Sequence, residues 1–156
     1  MAIQKLAHFS VRTTDLEASR KFYCDVLGFK EGYRPSFDFP GLWLYLGGDE
    51  ADFGAVHIIG VDMTDSEGLK AYLGDKPLDS LQGGGAVDHI AFLATGLSAI
   101  RSKLAEHSID FKERTVPDLG LHQLFVEDPS GITLELNFPA AEASGEAASG
   151  SSRGQE

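Results

Sequence analysis

The sequence predicts an α+β fold of paired βαβββ modules, because it contains an internal repeat. Short apolar strands begin at His8 and His89, an offset of 81 residues (89 − 8 = 81), and a helical pattern follows each of them. Later strands of the same kind place His57 and Glu135 at an offset of 78 residues (135 − 57 = 78). Nearly constant offsets between matching landmarks predict two copies of one unit.

Each copy is predicted to open with a strand and a helix of similar length. Thr14, with Glu17 three residues later, matches a capping box, and Gly28 is the residue type that ends a helix. In the second copy Leu97 and Leu104 lie seven residues apart, which places them on one face of a helix. The local signals therefore agree with the repeat.

Composition predicts where the modules end. Runs of β-branched and aromatic residues give modules at about 3–61 and 87–138, which together form a single domain over 1–138. The connection 62–86 contains a proline and three consecutive glycines, which is typical of either a linker or a lid over a site. Residues 139–156 offer no apolar face, so we expect a disordered tail.

Charge and composition exclude several classes of function. The 156 residues carry 13 Lys+Arg against 24 Asp+Glu, a formal net charge of −11, which disfavours nucleic acid and anionic membranes as partners. Neither an apolar run of roughly 20 residues nor a secretory signal is present, so we expect a cytoplasmic protein. The single cysteine, Cys24, can form neither an internal disulfide nor a thiolate metal cluster.

Four polar side chains interrupt otherwise apolar strands at repeat-related positions: His8, His57, His89 and Glu135. Burying a polar group without a partner costs about 1–3 kcal/mol, so four such groups are expected to satisfy one another. A divalent metal, whether Zn, Ni, Fe, Mn or Co, would accept all four as ligands. The alternative is that each is an ordinary hydrogen-bonded strand residue.

Three segments resemble a known family. HFSVRTTDLEASRKFYCDVLGF, VDHIAF and FVEDPSGITLEL are similar to segments of the vicinal oxygen chelate superfamily, and the similarity covers nearly all of residues 3–138. That superfamily includes glyoxalase I, fosfomycin and bleomycin resistance proteins, methylmalonyl-CoA epimerase and extradiol dioxygenases. The last segment is especially similar to glyoxalase I. The resemblance implies a glyoxalase-like fold, in which paired modules form a cupped mixed sheet.

The resemblance also implies a set of metal ligands. Carried over residue by residue, it assigns His8 and His57 from the first module and His89 and Glu135 from the second. Extradiol and resistance members bind metal through two histidines and one glutamate, which His8, His89 and Glu135 supply without His57. His57 is then either a ligand or a group that faces the metal ligands or the substrate.

Three residues are candidates for the chemistry itself. In isomerase members of the family a metal-bound glutamate shuttles a proton, which implies that role for Glu135. Arg12 is predicted to bind an anionic substrate group, with pairing to an acidic side chain as the alternative. His122 is a candidate acid or base if it, rather than its neighbour Gln123, points inward.

The sequence therefore predicts a metal-dependent lyase or isomerase of the glyoxalase type. Its substrate is expected to be a small, oxygen-bearing and possibly anionic metabolite, and a homodimer is the state that the family implies. A ferrous extradiol dioxygenase of a catechol-like substrate is the first alternative. The second is a resistance-type protein that sequesters a drug or metabolite without chemistry.

Overall fold

The computed structural model describes residues 2, 4–47, 54–74, 77 and 80–150. The chain divides into two compact units, unit 1 (Met1–Gly83) and unit 2 (Gly84–Glu156). Unit 1 contains β1 (Phe9–Thr13), α1 (Leu16–Arg20) with a π-helical continuation (Lys21–Val26), β2 (Lys30–Gly32), β3 (Gly41–Tyr45), β4 (Val56–Gly60) and α2 (Glu67–Leu73). Unit 2 contains β5 (Ile90–Leu93), α3 (Leu97–Glu106), β6 (Phe111–Val116), a single 3₁₀ turn (Pro117–Leu119), β7 (Leu121–Glu127), β8 (Thr133–Pro139) and α4 (Ala140–Gly150).

The two units have the same sheet topology. The strand order is β1-β4-β3-β2 in unit 1 and β5-β8-β7-β6 in unit 2. In each sheet the first and last strands of the module pair in parallel and the other neighbours pair antiparallel. These two four-stranded mixed sheets with their helices confirm the predicted α+β fold of βαβββ modules.

Strand register makes the repeat specific to single residues. Ser10 pairs with His57 in unit 1, and Ala91 pairs with Glu135 in unit 2. The first members of the two pairs are 81 residues apart (91 − 10 = 81), the same offset that separates the two strand-opening histidines. His57 and Glu135 therefore occupy equivalent positions in the two sheets.

One face of each sheet is apolar and buried. In unit 1 Leu44 and Val56 are fully buried, and α1 packs against β3 and β4. In unit 2 Leu124, Leu134 and Phe138 are fully buried. The opposite face of each sheet carries the polar and aromatic residues of the candidate site. Within the described chain, none of the helices is long and apolar enough to span a bilayer.

Helix α1 begins one residue later than the sequence predicts. Asp15 is the N-cap, and its carboxylate accepts a hydrogen bond from the backbone N–H of Ala18 at 3.0 Å. The hydroxyl of Thr13 in turn accepts from the N–H of Asp15 at 3.0 Å. The prediction of Thr14 as the cap is therefore wrong by one residue, because the carboxylate of the next residue reaches the same orphan donors. Gly28, at φ 83°, follows the helix as predicted.

The connection 62–86 contains a helix, α2, which packs back onto its own sheet. Leu69 of α2 is buried and clusters with Ile59 and Val61, with Leu81 packed against them. The division between the two units, at Gly83, lies inside this connection. The connection therefore contributes to the core of unit 1.

The prediction of a disordered tail from residue 139 is wrong over residues 140–150. Pro139 ends β8, and Ala140–Gly150 form helix α4, which packs against α3, β7 and β8. The carboxylate of Glu142 accepts hydrogen bonds from the backbone N–H groups of Gly96 (3.0 Å) and Leu97 (2.8 Å) at the start of α3. Alanine-rich composition supplies the helix propensity, and this cap fixes the helix in place. Residues 151–156 of the predicted tail lie outside the described residues.

Candidate metal and ligand site

One face of the unit 1 sheet lines a cavity of about 330 Å³. His8, Ser10 and Arg12 line it from β1 and the residue before it, as the alternation of strand side chains predicts. His57 lines the same cavity from β4. The structure therefore brings two of the predicted metal ligands, His8 and His57, together with Arg12 around one space.

The imidazole of His57 is enclosed between two other rings. His8 stacks on it with ring centroids 3.8 Å apart and planes 18° apart, and Trp43 stacks on it at 3.9 Å and 6°. Because β4 lies between β1 and β3, these two rings cover opposite faces of His57. Only 7% of His57 is exposed, while His8 is exposed. The sandwich therefore fixes the orientation of the His57 ring.

The stacking limits how the two histidines can bind a cation. A nitrogen lone pair lies in the plane of its imidazole ring, so two nearly parallel rings do not direct their lone pairs at one point. In this arrangement one of the two, rather than both, can coordinate a given ion. His8 is the exposed member of the pair and can turn, whereas His57 is held by Trp43.

The rest of the cavity wall is aromatic and carries one cation. Phe37 stacks on Phe39, with ring centroids 5.3 Å apart. Its centroid lies 5.1 Å from that of Tyr72 and 6.3 Å from that of Trp43. The guanidinium of Arg34 lies 4.9 Å from the ring centroid of Phe37 and 5.1 Å from that of Phe39. Burial lowers the pKa of Arg34. The wall therefore combines flat apolar surfaces with a positive charge partly withdrawn from water.

Arg12 connects the cavity to the connection 62–86. Its guanidinium donates to the backbone carbonyl of Pro77 at 3.2 Å and to the hydroxyl of Ser80 at 2.6 Å. These neutral oxygens lie in the segment that follows α2. Arg12 therefore holds that segment against β1 while lining the cavity, in addition to the substrate role that the sequence predicts for it.

In unit 2 the carboxylate of Glu135 is buried in a network of amides. Its Oε1 accepts hydrogen bonds from Gln123 and from Asn137, both at 2.8 Å. Gln123 also donates to the side-chain oxygen of Asn137 at 2.9 Å, and its own oxygen accepts from Arg114 at 2.7 Å. Oε1 of Glu135 is therefore held by two amide groups, and Oε2 is the oxygen that contacts His89.

His89 lies between two carboxylates. Its Nδ1 is 2.7 Å from Oδ1 of Asp88, and its Nε2 is 3.1 Å from Oε2 of Glu135. A neutral imidazole has one N–H, so it can donate to only one of the two carboxylates. The second contact is favourable only with an additional proton on the ring or a cation beside its free nitrogen. Two donor atoms 3.1 Å apart also match neighbouring ligands that each lie about 2.0–2.2 Å from one ion.

The four predicted metal ligands therefore occur as two pairs, one in each unit. Across the part of the chain that the structure describes, no group of three or more His, Cys, Asp or Glu side chains is gathered closely enough to hold a metal ion. His89 and Glu135 supply an imidazole nitrogen and a carboxylate oxygen, which are both ligand types that divalent cations accept. The stacked pair, His8 with His57, supplies one donor.

His122 and Gln123 lie on opposite faces of β7, and Gln123 is the one that contacts Glu135. His122 is buried, with its Nδ1 2.9 Å from the hydroxyl of Thr115. Its Nε2 lies 3.3 Å from Oε1 of Glu113, a contact that lacks hydrogen-bond geometry. Of the two candidates, Gln123 is therefore the residue that points towards Glu135.

Glu113, the neighbour of His122, is also bonded by Arg101, whose Nε donates to Oε1 at 2.7 Å. Burial raises the pKa of Glu113, but Arg101 and His122 together outweigh this effect, so its pKa is lowered overall. Arg101, Glu113 and His122 thus form a charged cluster of their own, away from the amides that hold Glu135.

Sequence reasoning missed several residues of these two faces. Arg34 and Tyr72 lie outside the strands, on a loop and on α2, where no alternation marks their direction. Arg114 lies on β6, and its role depends on register, since it pairs with Gln123 of β7, which in turn pairs with Asn137 of β8. The signal available in the sequence was a run of polar residues on strands that are otherwise apolar.

A family model for the glyoxalase/bleomycin resistance protein/dioxygenase superfamily matches residues 5–136. The chain belongs to this superfamily. The vicinal oxygen chelate resemblance predicted from the three sequence segments is thereby confirmed. Members of the superfamily bind small molecules and often form dimers.

Individual relatives agree with this assignment. A protein of Arabidopsis thaliana named Glyoxylase I 4 is 31% identical over 161 aligned residues, which cover 97% of this chain and 82% of the relative. Lactoylglutathione lyase from Agrobacterium tumefaciens has a similar structure, with a TM-score of 0.55 at 14% identity, covering 88% of this chain and 96% of the lyase. TnmS3, an antibiotic binding protein from a Streptomyces species, has a TM-score of 0.55 at 23% identity, covering 89% and 98%. The two solved structures show the shared fold.

Proposed function

We propose that this protein is a metal-dependent lyase or isomerase of the glyoxalase type that acts on a small oxygen-bearing metabolite. The observation that carries the proposal is the contact of His89 with Glu135, in which a second carboxylate already occupies the other ring nitrogen. The candidate ligands of a divalent metal (Zn, Ni, Fe, Mn or Co) are His89 with Glu135 in unit 2 and His8, rather than the stacked His57, in unit 1. When bound, the metal supplies Lewis-acid stabilisation of negative charge on a substrate oxygen.

Glu135 is the proposed general base. Gln123 and Asn137 donate to its Oε1, which fixes the orientation of the carboxylate. Oε2 is then the atom that takes a proton from substrate carbon and returns it to a neighbouring position, as an isomerase requires. His122 faces Glu113 and Thr115 instead, so the proposal assigns both proton transfers to Glu135.

The unit 1 face has a different part in the proposal. His8 is the exposed donor, and His57, held flat between His8 and Trp43, supports its ring. Arg12 adds positive charge to the same cavity and bonds Pro77 and Ser80. We propose that the protein functions as a homodimer, because members of the superfamily often form dimers.

A second candidate function is sequestration of a small molecule without chemistry. The observation that favours it is the aromatic wall of the unit 1 cavity, where Phe37, Phe39 and Tyr72 offer stacking surfaces that need no metal. The fold resemblance to an antibiotic binding protein is compatible with this candidate.

Metal analysis of protein purified without added metal tests the proposal. We expect about one divalent ion per chain, and conversion of at least one member of a panel of small oxygen-bearing metabolites that disappears with a chelator. Glu135→Gln should lose this conversion by roughly 10²–10⁴-fold, while Cys24→Ser, the matched control outside both faces, should retain it. Bound iron with oxygen uptake on catechols would replace the lyase with a dioxygenase. Unchanged metal content in both His8→Ala and Glu135→Ala would defeat the site assignment.

A further inference from the structure

Arg34 differs from Arg20 and Arg101, two arginines of this acidic chain that pair with carboxylates. Arg20 contacts Glu31, and Arg101 contacts Glu113. Within the described chain, no carboxylate forms an ion pair with Arg34, although the sequence holds 24 Asp+Glu. Its contacts are the backbone carbonyl of Phe39, at 2.9 Å from Nη2, and the faces of two aromatic rings.

The guanidinium of Arg34 is held in place before any ligand arrives. Five N–H groups are available on an arginine side chain, and one of them is occupied by the carbonyl of Phe39. Stacking on Phe37 and Phe39 fixes the plane of the fork. Because Arg34 lines the cavity, its remaining N–H groups can donate hydrogen bonds to a ligand that enters. A partly buried cation without a carboxylate partner gains most from an anion.

The surfaces beside Arg34 select for a flat ligand. Phe37, Phe39 and Tyr72 contact one another at 5.1–5.3 Å between ring centroids. Trp43 continues the aromatic wall from Phe37 towards His57. The volume, about 330 Å³, is at the lower end of the roughly 300–1,000 Å³ of small-molecule pockets, which suits a ligand of one or two rings.

We propose that the unit 1 cavity binds a small planar aromatic anion, with Arg34 bonding the carboxylate or phosphate and the rings of Phe37, Trp43 and Tyr72 packing on its faces. The inference deepens the proposed function by naming a substrate class, and it rests on that function only in treating the bound ligand as the substrate. Binding itself requires no metal and no turnover.

Benzoate, benzamide and cyclohexanecarboxylate separate the two requirements, charge and planarity. Each is titrated by calorimetry into protein stripped of metal with a chelator. We expect benzoate to bind at least about tenfold more tightly than neutral benzamide, and more tightly than the non-planar cyclohexanecarboxylate. Trp43 is the single tryptophan of the chain, so a change in its fluorescence on adding benzoate locates the ligand in this cavity.

Arg34→Gln should weaken benzoate binding by about tenfold or more and leave benzamide binding unchanged. Arg34→Lys should retain part of the preference, and Arg20→Gln, an exposed arginine outside the cavity, should bind like the parent. Equal affinity for benzoate and benzamide in the parent protein would overturn the proposal even if Arg34→Gln does not fold. Tight benzoate binding that leaves Trp43 fluorescence unchanged would contradict the placement. A protein that binds no metal would defeat the proposed function and leave this result intact.

Discussion

The imidazole of His57 lies flat against the indole of Trp43, with ring centroids 3.9 Å apart and planes inclined by 6°. The two residues are directly paired across β3 and β4. On its other face His57 is covered by His8. A polar ring at the centre of the sheet is therefore accommodated by stacking, and the single tryptophan of the chain reports on it.

Replacing His57 with alanine should destabilise unit 1 and change the surroundings of Trp43. Loss of the stack and of a buried ring should lower the free energy of unfolding by roughly 2 kcal/mol. The emission maximum of Trp43 should move to longer wavelength, because water reaches the uncovered indole face. His8→Ala is the matched control, and its exposed ring should contribute less than about 1 kcal/mol. An unshifted emission spectrum in His57→Ala would argue against the stack.

Asp88→Asn tests whether Asp88 orients His89 for a cation. A carboxylate that accepts the N–H of a ligating imidazole typically raises metal affinity about 10–100-fold, so nickel titrated into metal-free protein should bind more weakly by that factor. His89→Ala should weaken nickel binding further, since it removes the donor itself. His107→Ala, which changes an exposed histidine at the end of α3, should bind nickel as the parent does. Equal nickel affinity in Asp88→Asn and the parent would remove Asp88 from the site.

Glu113 should make the free energy of unfolding depend on pH in the acid range. Its pKa is lowered in the folded protein, so the carboxylate contributes stability above its unfolded pKa, and this contribution is lost as pH falls through the folded value. Chemical unfolding measured from pH 7 downwards should show a decline beginning below about pH 4.5.

The matching variant is Glu113→Gln, which should be less stable than the parent at pH 7 by about 1–2 kcal/mol and should lose less of its stability between pH 5 and pH 3. Glu127→Gln is the control, because Glu127 is an exposed carboxylate on β7. An acid dependence that is the same in Glu113→Gln and the parent would show that other carboxylates cause it.

Glu142→Ala tests the link between α4 and α3. Removing the carboxylate leaves the N–H groups of Gly96 and Leu97 without their acceptor, which should cost about 0.5–2 kcal/mol in unfolding free energy. Glu127→Ala, at an exposed position on β7, provides a control for loss of one acidic group. Glu142→Gln should keep part of the stability, because an amide oxygen still accepts. A Glu142→Ala protein as stable as the Glu127→Ala control would show that α4 is held by packing alone.

Much of the fold could be predicted because duplication leaves a regular trace. The offsets between His8 and His89 and between His57 and Glu135 correspond to the same register positions in the two sheets. Strand alternation also predicted that His8 shares a face with Arg12. Periodicity belongs to the sequence of each strand, so it can be recognised without knowing which strands pair.

The features that could not be predicted depend on contacts between distant segments. Whether His122 or Gln123 turns towards Glu135 is decided by the pairing of β7 with β8, which places Gln123 opposite Asn137. Helix α4 has no apolar stripe from which it could be predicted. Glu142 accepts a hydrogen bond from Leu97, which lies 45 residues earlier in the chain. Arg34 lies on a loop, whose direction no repeat determines.

The equivalence of His57 and Glu135 means that the ancestral position has diverged into two kinds of base. One copy surrounds it with stacked rings, and the other surrounds it with amides. Because the stacked rings and the amides lie in separate copies, a substitution in one set leaves the other set intact. The duplication thereby allows the two positions to evolve independently.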